Sequence, residues 1–559
     1  MKRTCFHKST NLHVNNRMRV PSDLEESNHF RMKKSYPFMI GMAVALLITV
    51  SMIACNPAPK KSYGQEVSYY TEQYRPQFHF TPEANWMNDP NGMVYYEGEY
   101  HLFFQYYPDS TVWGPMHWGH AISKDLVHWE HLPVAIYPDS LGWIFSGSAV
   151  ADLKNTSGLG TAENPPLVAI YTYHNDKLAK SGSKTPQSQA LAFSTDKGRT
   201  WTKYANNPVL ESPGIPDFRD PKVFWHNETG KWVMILAVQD RVHLYSSPNL
   251  ISWKFESEFG KGIGAHGGVW ECPDLFPLKV EGSDVSKWVM LVNINPGGPN
   301  GGSANQYFTG EFDGKKFTPD ETNEKWVDWG RDNYAGVTWS NVPETDGRRL
   351  FIGWMSNWDY ANVVPTTVWR SATTIPRELS LINQDNSYLL VSKPVKEMEV
   401  LRGGTTPVYL ASQNISGEKE MALDSITLSQ SELIFDFNLE DSSADSLGIV
   451  LENNLQEKLV IGYSVSQKQF FVDRRAAGPS EFSKEFAGIS KAPYTAGGHL
   501  QLRIFVDVAS TELFVDGGKL VMTDIVFPTE NFTKLKVFSK GGDLLLEKAE
   551  FHSLKRIWK

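Results

Sequence analysis

One unit recurs along this chain: the end of a strand, a serine, a tight polar turn, then a tryptophan. It appears as AISKDLVHWE (121–130), AFSTDKGRTWTKY (192–204) and LYSSPNLISWKF (244–255), aligning Ser123 with Ser194 and Ser247, and Trp129 with Trp201 and Trp253. FTGEFDGKKFTPD (308–320) is a looser fourth copy. Hairpins headed by proline precede or separate the copies: Pro90 leads into NGMVYYEGEYHLFF, Pro221 into KVFWHNETGKWVMIL and Pro273 into DLFPLKVEGSDVSKWVMLV. A unit of roughly 50–70 residues with four short strands cannot bury its faces alone, so such units pack side by side as the blades of a propeller.

The rest of the pattern agrees. Short apolar or alternating runs broken by Gly, Pro, Asn and Asp predict an all-β chain, with almost no segment of helical period. At 559 residues the chain exceeds one ordinary core, so two domains are expected. A second β domain is expected from about residue 400. LIFDFNLEDSSADSLGIVLEN (433–453) and LQLRIFVDVASTELFVDGGKLVMTDIVF (500–527) read as strands around turns, one of them at Asp516-Gly517. This part predicts a packed β-sandwich with a stabilising role; glycan binding is the lesser alternative. Expected boundaries are 1–54 for an N-terminal extension and signal, 55–75 for a tether, 76–399 for the propeller and 400–559 for the sandwich.

The N-terminal segment reads as targeting. Arg31, Lys33 and Lys34 precede an apolar run over 38–54, and Cys55 follows at once. SMIAC has the shape of a lipoprotein signal, with Cys55 as the lipidated residue and Met52 where leucine is preferred; a plain signal anchor is the alternative. Residues 1–31 are polar and unpatterned, which makes Met32 the expected start. The expectation is an exported protein anchored through lipid at the periplasmic face or the surface of a Gram-negative cell. The other cysteines are Cys5 and Cys272, so the folded body is expected to hold together without disulfides. A net charge of −9 without a long basic stretch excludes nucleic acid as a partner. Aromatics make up 13% of the chain, with 18 Trp; buried sheet packing accounts for most, and sugar-face stacking is a use for some.

Three carboxylates mark the prolines. Asp89 precedes Pro90, Asp220 precedes Pro221 in FRDPKVFW, and Glu271 lies two before Pro273 in WECPDLF. A lone Asp-Pro is usually a turn. Three acids at matched places in successive repeats are expected to meet at one end of the propeller axis. Such a cluster without metal-type histidine spacing points to acid–base or nucleophilic work at an acetal, and no metal or cofactor is expected. Arg219 beside Asp220 is expected to keep that carboxylate ionised. The apolar neighbours Trp270 and Cys272 are expected to favour the protonated form of Glu271, as a general acid requires. GIGAHG (262–267) fits a dinucleotide pattern but leads into a strand rather than a helix.

In these motifs the chain resembles glycoside hydrolase family 32, the invertase, inulinase and levanase family, over about 76–559. WMNDPNG, FRDPKVFW and WECPDLF match its acidic motifs; GPMHWGHA (114–121), FSGSAV (145–150) and GWMSNWDYAN (353–362) match further segments. The likeness is greatest to bacterial levanases and exo-fructanases. The resemblance implies a five-bladed β-propeller followed by a C-terminal β-sandwich. It implies Asp89 as nucleophile, Glu271 as acid/base and Asp220 as the residue that holds fructose hydroxyls and stabilises the transition state. Asn88, Gln105, Trp113, Phe145, Ser146, Arg219 and Trp354 would line the sugar pocket, with Asp332 and Tyr334 of RDNYAG joining them. The activity implied is exo-acting, retaining release of fructose from fructans or fructo-oligosaccharides, with sucrose as a further substrate. Endo-acting cleavage, fructosyl transfer and non-catalytic fructan capture are the alternatives.

Overall fold

The computed structural model describes residues 69–558 except 386, 404 and 424, and every count below is of these residues. Cys55, the apolar run before it and the tether up to residue 68 lie outside them. Five antiparallel sheets of four short strands form the first part of the chain. Blade one holds Asn85–Tyr96, Glu99–Tyr107, His117–Ser123 and Trp129–Ile136. Blade two holds Trp143–Ala151, Leu167–His174, Gln187–Ser194 and Thr202–Lys203. Blade three holds Phe218–His226, Lys231–Val238, Arg241–Ser247 and Lys254–Phe259. Blade four holds Val269–Lys279, Ser286–Asn295, Ala304–Phe312 and Phe317–Pro319. Blade five holds Tyr334–Thr338, Arg349–Trp354, Arg377–Gln384 and Ser387–Pro394. The first strand of each blade touches the first strand of the next, and blade five returns to blade one. This is a closed five-bladed propeller.

The repeated turn has a physical basis. Ser123, Ser194 and Ser247 each accept, at Oγ, the backbone N–H two residues on, from Asp125, Asp196 and Asn249. The side-chain oxygens of those three residues in turn accept backbone N–H groups further along, from Val127, Thr200 and Ile251. Such side chains replace the ladder where the backbone turns. Trp201 and Trp253 close the turn by donating Nε1 to the carbonyls of Gly198 (3.1 Å) and Leu250 (2.9 Å). Between blades, fully buried Trp118 and Trp270 anchor apolar clusters; burying a side chain of that size stabilises by roughly 2–3 kcal/mol. Ring closure uses a short strand, Trp369–Arg370, which pairs in parallel with the start of Asn85–Tyr96. Ser340 adds two backbone bonds to blade one, N to Met93 O (3.0 Å) and O from Tyr95 N (2.9 Å).

A 3-10 turn, Lys396–Leu401, leads to a β-sandwich. One layer comprises Ile489–Pro493, Gln469–Ala476, Lys458–Ser464 and Ser446–Glu452; the other comprises Ser431–Asn438, His499–Asp507, Ser510–Val515 and Leu520–Ile525. The long strand Lys534–Ser553 serves both: its first half pairs with Ser446–Glu452 and its second with Ser431–Asn438. It turns between layers at Gly541, whose φ of +79° suits a residue without a Cβ. Phe435, Phe437, Leu447, Ile461, Val537 and Phe551 fill the space between the layers.

Candidate active site

Every innermost strand of the propeller is bulged near its start. The register slips between Met87 and Pro90, Phe145 and Gly147, Arg219 and Lys222, Glu271 and Asp274, and Tyr334 and Val337. A bulge breaks the strict alternation of a strand and re-aims its side chains. Pro221 and Pro273 fall within these slips, where no ladder donor is lost, and Pro90 closes the slip in blade one. Asp220 (φ 64°), Cys272 (φ 43°) and Ala335 (φ 51°) take left-handed backbone there, a conformation that non-glycine residues hold only when their surroundings enforce it.

The bulges correct the matching of the acids. In blades three, four and five the last paired residue before the slip is Arg219, Glu271 and Tyr334. Glu271 therefore sits at the level of Arg219, and Asp220 is one residue further on. Nor are the acid-bearing blades successive: blade two stands between those of Asp89 and Asp220, contributing Ser146 instead. The level of Glu271 explains its partners. Arg219 donates to its Oε1 through Nη2 (2.9 Å) and Nε (3.1 Å), and Tyr334 OH donates to Oε2.

The Asp89 carboxylate accepts from Ser146 Oγ (2.7 Å) and from Asn88 Nδ2 (2.9 Å), and Asn88 is itself fixed by Trp86 Nε1 (2.7 Å). Asp220 Oδ2 accepts the backbone N–H of Cys272 (3.0 Å). The Cys272 thiol lies between the two aspartates, 3.3 Å from Asp89 Oδ2 and 3.6 Å from Asp220 Oδ2. All three acids open into one pocket of about 240 Å³, lined also by Asn88, Gln105, Trp113, Phe145, Ser146, Arg219 and Trp358. That is below the ~300–1,000 Å³ of sites for drug-sized ligands. Trp113 stands at the rim, 37% exposed, edge-on to Phe145, which stacks on His174 at 4.3 Å. Gln105 Nε2 is buried without a partner among the described residues.

The electrostatics differ from the sequence expectation. Burial pushes the Asp89 carboxyl up and the Glu271 charge adds to this, while hydrogen bonds from Ser146, Asn88 and Cys272 oppose it. Asp220 is pushed up to about 7, first by burial, with Arg219 opposing and Glu271 and Asp89 reinforcing. Arg219 does not hold Asp220 low because its guanidinium engages Glu271 and Asp217, leaving Nε 3.9 Å from Asp220 Oδ2. Nor do the sequence neighbours of Glu271 pack against its carboxyl. Trp270 turns into the core between blades three and four, donating Nε1 to Ala265 O, and Cys272 faces the aspartates.

Two expected pocket residues lie elsewhere. Trp354 is fully buried behind the wall, against Trp86, Trp358 and Tyr334; Trp358, four residues on in the same motif, lines the pocket in its place. Trp354 ends a strand whereas Trp358 lies in the loop after it, and loops are where binding residues concentrate. Asp332 is buried against the sandwich, accepting from Arg474 Nη1 (2.7 Å), Tyr360 OH (2.6 Å) and Ile525 N (2.9 Å). Tyr334 does not line the pocket either, but donates its hydroxyl to Glu271, which does.

This constellation on this fold has relatives. Residues 79–394 match the glycosyl hydrolases family 32 N-terminal domain, and residues 397–556 match the family 32 C-terminal domain. The chain is 50% identical to a levanase of Bacillus subtilis (strain 168), over 88% of this chain and 72% of that protein. It is 40% identical to an extracellular exo-inulinase of Aspergillus awamori, over 88% and 96% of the two chains. The crystal structure of exo-inulinase from that organism superposes with a TM-score of 0.81 at 38% identity, covering 88% of this chain and all of that one. A fructofuranosidase of Schwanniomyces occidentalis, solved with fructose bound, superposes at 0.80 with 33% identity, over 88% and 100%. Bulged acidic strands, propeller and sandwich thus all lie within matched sequence, and the chain belongs to glycosyl hydrolase family 32.

Proposed function

We propose that this protein is a retaining β-fructosidase that releases fructose from the ends of fructans and fructo-oligosaccharides. The observation that carries the reading is the opening of Asp89, Asp220 and Glu271 into one small pocket. In the first step the Asp89 carboxylate attacks the anomeric carbon of the terminal fructosyl unit. The glycosidic bond breaks, and Glu271 gives its proton to the departing oxygen. In the second step Glu271 takes a proton from water, whose oxygen attacks the fructosyl ester and frees Asp89. Asp220, Asn88, Gln105 and Arg219 hold the fructose hydroxyls, and the unpartnered Gln105 Nε2 supports that role. Trp113, Phe145 and Trp358 supply apolar walls.

The compact pocket supports exo action, since it fits a chain end better than a chain passing through. Levan, inulin and sucrose assayed in parallel, with products separated by chromatography, test the reading. Free fructose is the expected early product from the fructans. A ladder of oligosaccharides overturns exo action, growth of oligomers from sucrose favours transfer, and fructan binding without sugar release overturns the enzymatic reading. Export and lipid attachment through Cys55, at the periplasmic face or surface of a Gram-negative cell, complete the proposal; they rest on the signal-like run before that cysteine. Cys55→Ala is expected to shift the protein from the membrane to the soluble fraction, and unchanged fractionation overturns the anchor.

A further inference from the structure

Asp332 falls outside the sugar pocket, and its position points to a different function. The segment 328–333, immediately before the Tyr334 strand, runs along the sandwich strand Leu520–Ile525, which ends its sheet. Trp329 N donates to Val521 O (2.8 Å) and Asp332 N to Thr523 O (3.0 Å). Thr523 N donates to Asp328 Oδ1 (2.9 Å) and Ile525 N to Asp332 Oδ2 (2.9 Å). The segment thus pairs with alternate residues of the sandwich edge and covers an edge that would otherwise be exposed. The approach is close enough to require glycine: a Cβ on Gly330 would lie 2.1 Å from Thr523 O.

Arg474, on the sandwich strand Gln469–Ala476, completes the clamp. Its guanidinium donates to Asp332 Oδ2 (2.7 Å), Tyr360 OH (2.8 Å), Phe486 O (2.8 Å) and Ile525 O (3.0 Å). Arg474 and Asp332 are both buried. Tyr334, two residues beyond Asp332, donates its hydroxyl to Glu271.

We propose that Arg474 is a positioning residue for catalysis, and that the sandwich, through Asp332 and the 328–333 segment, sets the Tyr334 hydroxyl against Glu271. This rests on the reading of Glu271 as acid/base. A charged buried clamp resists displacement because breaking it strands an unpaired charge, and misplacing a supporting group by about 1 Å costs rate even far from the chemistry.

A double-mutant cycle on the full-length protein tests the link. Arg474→Lys, Tyr334→Phe and the pair are assayed on a short fructo-oligosaccharide, well below the melting temperature of each variant. Arg474→Lys is expected to lower kcat about 10-fold with KM within about 2-fold, and to have little further effect once Tyr334→Phe is present. Unchanged kcat in folded Arg474→Lys, or equal losses in both backgrounds, overturns the proposal. Should Arg474→Lys not fold, Tyr360→Phe, which removes the phenol shared by Asp332 and Arg474, takes its place in the same cycle. Glu271→Gln is assayed alongside. Retained activity there refutes the acid/base reading itself, whereas an inactive Glu271→Gln with additive losses in the cycle refutes only the positioning link.

Discussion

At the residue scale, the site separates its carboxylates by their partners. Glu271 is held at both oxygens by Arg219 and Tyr334, so it is oriented before substrate arrives. Glu271→Gln is expected to lose about 10²–10⁴-fold in kcat, the usual worth of general acid catalysis. The loss should shrink on substrates with good leaving groups, which need no proton; an equal loss across leaving groups counts against the role. Asp220 makes a different prediction. A carboxyl raised to about 7 in the folded protein, from 3.8, binds its proton more tightly folded than unfolded. Its contribution to stability is therefore greatest at low pH and declines as pH rises from about 4 to about 7. Asp220→Asn removes that decline, so melting scans should show the variant gaining on the wild type across this window. A constant difference would contradict the burial argument.

At the scale of elements, the site is made by bulges. Blade two shows the constraint most sharply: Gly147 lies where a Cβ would meet Ile170 O at 2.0 Å, just after the slip that aims Ser146 at Asp89. Gly147→Ala is expected to cost about 1–3 kcal/mol from overpacking and to lower kcat by displacing Ser146, read by denaturation and initial rates. A variant with unchanged rate would uncouple the bulge from the site. Bulges also mark the limit of what the sequence reveals. Serine–turn–tryptophan units and proline-led hairpins are legible because side chains bond locally to the backbone. A two-for-one slip in register leaves no such signature, so Glu271 reads as level with Asp220 although it pairs at the level of Arg219. The same limit applies to Trp354 and Trp358, adjacent in motif but on opposite sides of the pocket wall. Asp332 sits in a motif of site residues, yet its carboxylate answers to Arg474, 142 positions away.

At the scale of the whole molecule, propeller and sandwich share buried charge. Arg377 of blade five bonds Asp328 (2.9 Å) and Glu512. His79, before the first blade, sits between Asp507 (2.7 Å) and Glu512 (2.9 Å) of the sandwich, fully buried. Burial alone would lower this imidazole, but its two acidic partners raise it from 6.5 to about 9. Its contribution is thus complete below about pH 6.5 and lost as pH rises through about 9. The melting temperature of the wild type should exceed that of His79→Gln most below pH 6.5, and the gap should narrow above pH 9. A gap independent of pH would mean that the histidine stays neutral.

These scales meet in the claim that Asp89 attacks and Glu271 relays the proton, which fixes the stereochemistry of the product. Two successive displacements at the anomeric carbon return its original configuration. Proton NMR of the fructose first released, followed before mutarotation, is expected to show the β-fructofuranose form. Release of the α form first would mean direct attack by water and would rule out Asp89 as the nucleophile.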